Sequence, residues 1–80
     1  MYFMYILYSL SRDRYYIGAT QDTALRLTQH NSGRTKSTSS GKPWVLVHTE
    51  SFDTRSEALK RETEIKNKKS RRYIEFLLQK

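Results

Sequence analysis

Apolar and polar positions divide this chain into short, well-separated runs. The first apolar run is Tyr2-Phe3-Met4-Tyr5-Ile6-Leu7-Tyr8. The polar break Ser11-Arg12-Asp13-Arg14 follows, and then Tyr15-Tyr16-Ile17-Gly18-Ala19. Tyrosine, phenylalanine and isoleucine suit a pleated surface, and the break supplies turn chemistry. Residues 1–20 therefore predict a β-hairpin. Gly18 interrupts the second strand where a side chain should pack, which marks a bulge or a close backbone approach.

Downstream, Asp22 offers an N-cap for a short helix over Thr23–Asn31, closed by Gly33 just past its end. Arg26 and His30 are four apart and share one face of it, either as two solvated polar residues or as part of a site. Residues 33–43 read as a loop rich in serine, threonine and glycine, with three cations and no anion. That composition suits phosphate contacts in a mobile segment and equally suits an ordinary connection. Trp44–Phe52 predicts a third strand. Trp44, Leu46 and His48 alternate there with Val45 and Val47, so both faces carry apolar groups, as in a central strand. Thr54 or Ser56 can cap a helix over 55–69. Ser70 can cap a last helix, within 70–80, that packs back on the sheet. The sum is an α+β fold: a three-stranded antiparallel sheet flanked by about three helices.

The helix over 55–69 holds the sharpest chemical signal. At about 100° per residue, Ala58, Leu59 and Ile65 fall within about 60° of Glu62. Glu57 and Glu64 fall on the opposite face. Glu62 is thus the acid on the apolar side, where a carboxylate requires a partner. That partner can be Arg26, a lysine or a metal ion, or the acid can serve proton transfer.

Composition sharpens the picture. The chain has 80 residues, no cysteine and a formal charge of +7. The length suits one domain with a thin core. Disulfides and thiolate metal sites are excluded, and the start shows neither a secretory leader nor a span, so a cytoplasmic location is expected. The charge is clustered. Lys60, Arg61, Lys66, Lys68, Lys69, Arg71 and Arg72 crowd the C-terminal third, and Arg34, Lys36 and Lys42 sit in the loop. Two such clusters flanking one groove would match a phosphate backbone, with Arg34, Lys36, Lys42, Lys66, Lys69, Arg71 and Arg72 as the candidate nucleic-acid contacts.

If Tyr5, Tyr16, Arg26, His30 and Glu62 converge, they have the chemistry for metal-assisted phosphodiester hydrolysis. Glu62 can hold Mg2+ or Mn2+. A tyrosine beside the ion can help deprotonate water, Arg26 can stabilise charge on the phosphate, and His30 can assist proton transfer.

These residues also carry a family resemblance. Tyr16-Ile17-Gly18, Arg26-x-x-x-His30 followed by Asn31 and Gly33, Lys42-Pro43-Trp44, and Ala58-Leu59-Lys60-Arg61-Glu62 stand in order. Phe3-Met4-Tyr5 keeps the tyrosine of a further motif. In these the chain resembles the GIY-YIG nuclease superfamily, within it the small stand-alone bacterial type, over nearly its whole length. The resemblance implies a single GIY-YIG-like nuclease domain over 1–80. It implies an endonuclease that hydrolyses phosphodiester bonds in nucleic acid, DNA ahead of RNA, in repair, recombination or mobile-element biology, with one Mg2+ or Mn2+ on Glu62. It assigns Tyr5 and Tyr16 to water activation and positioning, Arg26 to the phosphate, His30 to proton transfer and Gly18 to structure.

Two positions depart from some relatives. Ala19 stands where they carry a lysine, and Ile74 lies near the place of a downstream asparagine. The alternatives are a non-catalytic nucleic-acid-binding module with a degenerate site, and a protein-interaction domain whose binding ignores salt.

Overall fold

A computed structural model describes residues 1–79, leaving aside the Ser37 side chain. The hairpin forms from β1 (Tyr2–Ser9) and β2 (Arg14–Thr20). It is followed by α1 (Thr23–Asn31), a 3-10 helix (Lys36–Gly41), β3 (Trp44–Phe52), α2 (Arg55–Lys68) and α3 (Arg71–Leu77). The sheet is antiparallel with order β2-β1-β3. This is the α+β architecture read from the chain.

Local chemistry sets the helix ends. The Asp22 carboxylate accepts from the Leu25 amide at 3.0 Å. Thr54, not Ser56, caps α2 in a reciprocal box with Glu57. The Ser70 hydroxyl accepts from the Tyr73 amide at 3.1 Å. Gly33 takes φ +82°, the left-handed conformation that ends α1. Of the final segment read as helix, Lys80 lies outside the described residues.

Two clusters of apolar side chains sandwich the sheet. On one face Met4, Ile6 and Ile17 pack against Ile65 of α2 and Ile74 of α3. On the other, Tyr5, Leu7 and Trp44 pack with Tyr16 and Leu27 of α1. Residues alternate between these faces along β1, and Met4, Tyr5, Ile6 and Leu7 are all buried. Full burial of a large apolar side chain contributes about 1.5–3 kcal/mol, so the central strand is the main source of cohesion.

Two expectations are corrected. The strand with apolar groups on both faces reads as central, but β3 lies at the sheet edge and β1 is central. Val45 and Leu46 are correspondingly exposed. A register shift explains the pattern. Ile6 pairs with His48 and Leu7 with Leu46, so Val47 is an extra residue. This bulge moves the inward face of β3: Trp44 and Leu46 share the Tyr5 side, whereas His48, Glu50 and Phe52 share the Met4 side. The segment 33–43 is not a bare connection either. Its 3-10 turn packs on the strand start, with the Trp44 indole N–H donating to the Thr38 carbonyl at 2.8 Å.

The bulge also places an electrostatic tie on the far face. Arg61 of α2 donates to both oxygens of Glu50, at 2.8 and 3.2 Å, and His48 completes the group at 2.9 Å. Burial pushes the Glu50 carboxyl up, but Arg61 and His48 outweigh it and leave it below the usual range.

Candidate active site

Tyr5 and Gly18 are directly opposed across the hairpin, and Leu7 faces Tyr16 one step along. Both tyrosines thus project from the same sheet face, beneath α1. Tyr5 is 1% exposed. Its ring lies over the bare backbone of Gly18: a Cβ there would stand 2.5 Å from the Tyr5 oxygen. The close approach anticipated at Gly18 is therefore occupied by the Tyr5 ring.

From α1, His30 enters the same space fully buried. Its Nε2 lies 3.1 Å from the Tyr5 oxygen and its Nδ1 2.8 Å from the Thr38 hydroxyl oxygen. The Tyr16 ring sits 4.7 Å from the His30 ring and 6.3 Å from the Tyr5 ring. Arg26, one turn earlier, lies near enough for its charge to act on both phenols, and one guanidinium nitrogen donates to Gln29 at 2.9 Å. Among the described residues, no buried side-chain nitrogen or oxygen is left without a hydrogen-bond partner.

The electrostatics follow from burial. Desolvation raises the Tyr5 phenol above its ordinary value. Arg26 opposes this, and the Tyr16 and Glu62 charges add to it. Burial lowers His30, and the Arg26 charge lowers it further, so the imidazole is neutral near pH 7. The cluster holds one permanent charge, on Arg26, among neutral hydrogen-bonding rings.

Glu62 enters differently. It projects from α2, whose buried residues Ala58 and Ile65 face the opposite side of the sheet; Leu59, read as facing inward with Glu62, is exposed. The Glu62 side chain is 17% exposed and its oxygen receives Lys66 Nζ at 2.6 Å. The anticipated partner of the acid is thus a lysine one turn along its own helix. Glu62 reaches the tyrosines through its charge on Tyr5 rather than through a bond. Among the described residues, no three histidine, cysteine or acidic side chains gather to cage an ion. Glu62 is the carboxylate that could hold one. A single accessible carboxylate fits a hard ion such as Mg2+, which keeps most of its waters and takes its remaining ligands from substrate phosphate.

The candidate nucleic-acid contacts separate into two groups. Arg34, Lys36, Lys42, Lys69 and Arg72 are exposed. Lys66 is engaged by Glu62, and Arg71 is engaged by Asp13 at 2.6 Å and Glu75 at 3.3 Å while covering the Tyr15 ring. Arg71 thereby fastens α3 to the hairpin turn.

Two contributors went unread in the sequence. Thr38, 2% exposed, is the Nδ1 partner of His30. Composition hid it among loop hydroxyls, and no spacing singles it out. Asn31 was noted only as part of a motif. Its side chain donates to the Trp44 carbonyl at 3.0 Å and accepts from the Trp44 amide at 2.6 Å, which fastens the end of α1 to β3.

A hairpin presenting two tyrosines to an arginine and a histidine on the following helix defines a class of domain. The chain belongs to the GIY-YIG family: residues 1–74 match the GIY-YIG catalytic domain. Its relatives are UPF0213 proteins. One from Halobacterium salinarum is 43% identical over 67 residues, covering 82% of this chain and 86% of the relative. One from Listeria monocytogenes is 38% identical over 79 residues, covering 98% and 88%. The solution NMR structure of a UPF0213 protein from Bacillus halodurans superposes with a TM-score of 0.61 at 36% identity, covering 99% of this chain and 84% of that one. GIY-YIG domains are in general endonuclease domains, and membership implies a nucleic-acid substrate. Among the described residues, no helix is long and apolar enough to cross a membrane.

Proposed function

We propose that this protein is a metal-dependent endonuclease acting on DNA. The observation that carries the reading is the convergence of Tyr5, Tyr16, Arg26 and His30 in one hydrogen-bonding cluster, with the Glu62 charge acting on it. Tyr16, half-buried where Tyr5 is buried, is the phenol that faces the attacking water. Arg26 offers a fixed charge to the phosphate as negative charge grows there. Gln29 holds the Arg26 guanidinium, and His30, kept neutral by burial, accepts the proton the cluster must take up. A divalent ion on Glu62 would supply Lewis acidity at the phosphate. The exposed Arg34, Lys36, Lys42, Lys69 and Arg72 would hold the flanking backbone.

One feature favours the second reading, a binding module without turnover: Lys66 occupies the Glu62 carboxylate. The test places purified protein with supercoiled, linear, single-stranded and branched DNA, and with RNA, in Mg2+, Mn2+ and EDTA. Glu62→Gln runs alongside. Cleavage that needs the metal and disappears in the variant supports the endonuclease. Salt-sensitive binding with no cleavage of any substrate overturns it in favour of the binding module.

A further inference from the structure

The neutral imidazole of His30 carries one proton, on Nδ1 or on Nε2, and only the nitrogen without it can accept. Water does not make the choice, because His30 is 0% exposed and its two partners, Tyr5 and Thr38, are 1% and 2% exposed. The partners make it. On the Nε2 side, the partner is the Tyr5 hydroxyl, a group that can donate or accept. His30 Nε2, 3.1 Å away, is the acceptor its proton points at. On the Nδ1 side, the Thr38 hydroxyl donates to the Thr35 carbonyl at 3.2 Å, which leaves its lone pair to accept at 2.8 Å. The other tautomer would aim Nε2–H at the phenol oxygen, leave the phenol's own proton with no acceptor among the described residues, and draw the Thr38 hydroxyl proton away from the Thr35 carbonyl.

We propose that Thr38 is a positioning residue for the nuclease site, holding the Nδ1–H tautomer of His30 so that Nε2 stays open toward Tyr5. The catalytic part of this inference rests on the endonuclease reading; the tautomer itself does not. Tyr5 passes its proton to His30 Nε2 only as its own oxygen takes up another from the water side, so Tyr5 stays neutral and no buried phenolate is left. The imidazolium that forms keeps its Nδ1–H on Thr38.

The fold holds Thr38 for this task from both sides. The Thr38 amide donates to the Thr35 carbonyl at 3.0 Å, which closes the 3-10 turn. The Thr38 carbonyl receives the Trp44 indole at 2.8 Å. The Trp44 ring in turn lies flush on Gly41, where a Cβ would collide with it. The carbonyl of Gly41 receives the buried Ser9 hydroxyl at 2.6 Å. A segment whose hydroxyls suggested phosphate contact thus turns one of them inward to a catalytic histidine.

The test is NMR of the full chain labelled with 15N-histidine, with His48→Gln assigning the other ring. The expected wild-type spectrum shows His30 protonated at Nδ1 and bare at Nε2. Thr38→Val keeps the shape and removes the hydroxyl. It should mix or reverse the tautomer and lower kcat by about 10- to 100-fold, the usual cost of removing a group that orients a histidine, with KM unchanged. Thr38→Ser should keep both wild-type readings, and if the valine variant does not fold the wild-type tautomer itself decides the matter. An Nε2–H tautomer in the wild type, or an unchanged tautomer in Thr38→Val, overturns the proposal. A tautomer that responds as expected in a protein that cleaves nothing leaves Thr38 its structural role and overturns the nuclease reading instead.

Discussion

The Tyr5 ring rests on the backbone of Gly18, so close that a single added methyl at position 18 would meet the phenol oxygen at 2.5 Å and the ring carbons just behind it. The two are register partners in the hairpin. The glycine is therefore a requirement of the site, and the cause is space rather than backbone strain.

Gly18→Ala should destabilise the domain by about 1–3 kcal/mol, the usual cost of overpacking. It should also lengthen the Tyr5–His30 bond. Urea unfolding measures the first effect and the His30 ring shifts report the second. Because part of the collision is with the hydroxyl, adding Tyr5→Phe should cost less than the sum of the two single changes. Strict additivity would mean that the hydroxyl takes no part in the collision.

Acid should weaken the fold in two stages. The folded-state pKa of His30 lies below its ordinary value of 6.5. Its contribution is complete above 6.5, where both states are neutral. It is lost as pH falls from there through the folded pKa, because the unfolded chain takes up a proton that the buried ring resists. The Glu50 carboxyl is also held low, against an ordinary value of 4.5, so its share persists to lower pH before it goes. Stability measured from pH 8 to 4 should decline first below about 6.5. His30→Gln, although less stable throughout, should lose that first decline and keep the later one.

The Lys66–Glu62 pair should act as a competitor for a divalent ion. Lys66 is half exposed, so releasing it is inexpensive: exposed pairs contribute about 0.2–1 kcal/mol. Lys66→Met should therefore tighten Mn2+ binding by about two- to fivefold. Paramagnetic broadening of signals around Glu62 would follow the titration. Glu62→Gln should abolish that broadening and leave DNA affinity close to wild type.

Cations that look alike in the sequence should behave differently. Lys36→Gln and Arg72→Gln should each weaken DNA binding and reduce the slope of log K against log salt by about one, if each meets a phosphate. Arg71→Gln should leave that slope unchanged, because its guanidinium is committed to Asp13 and Glu75. Its effect should appear as faster amide exchange in α3 and in the hairpin turn.

Element boundaries were legible because they are local. Asp22, Thr54 and Ser70 cap helices through amides three residues away, and Gly33 ends α1 through its own φ. The Glu62–Lys66 spacing is equally local, four residues on one helix. The pairing of Tyr5 with Gly18 was within reach, since a hairpin register follows from its turn.

Other features depend on contacts between distant segments. A single extra residue at Val47 decides which side of β3 faces which helix, and alternation alone places Trp44 and His48 on one face. Arg71 and Lys36 carry the same charge, and only the docking of α3 against the hairpin turn tells them apart. Thr38 becomes the partner of His30 because Asn31, Trp44 and Gly41 fold the segment back beneath α1. By itself, the sequence determined the elements, their caps and the inventory of reactive groups, since each is set by neighbours a few bonds away. Which hydroxyl meets the histidine, which cation stays free and which strand lies at the edge were decided only by the tertiary structure. Burial removes water as a partner and leaves each polar atom only those that packing brings within reach.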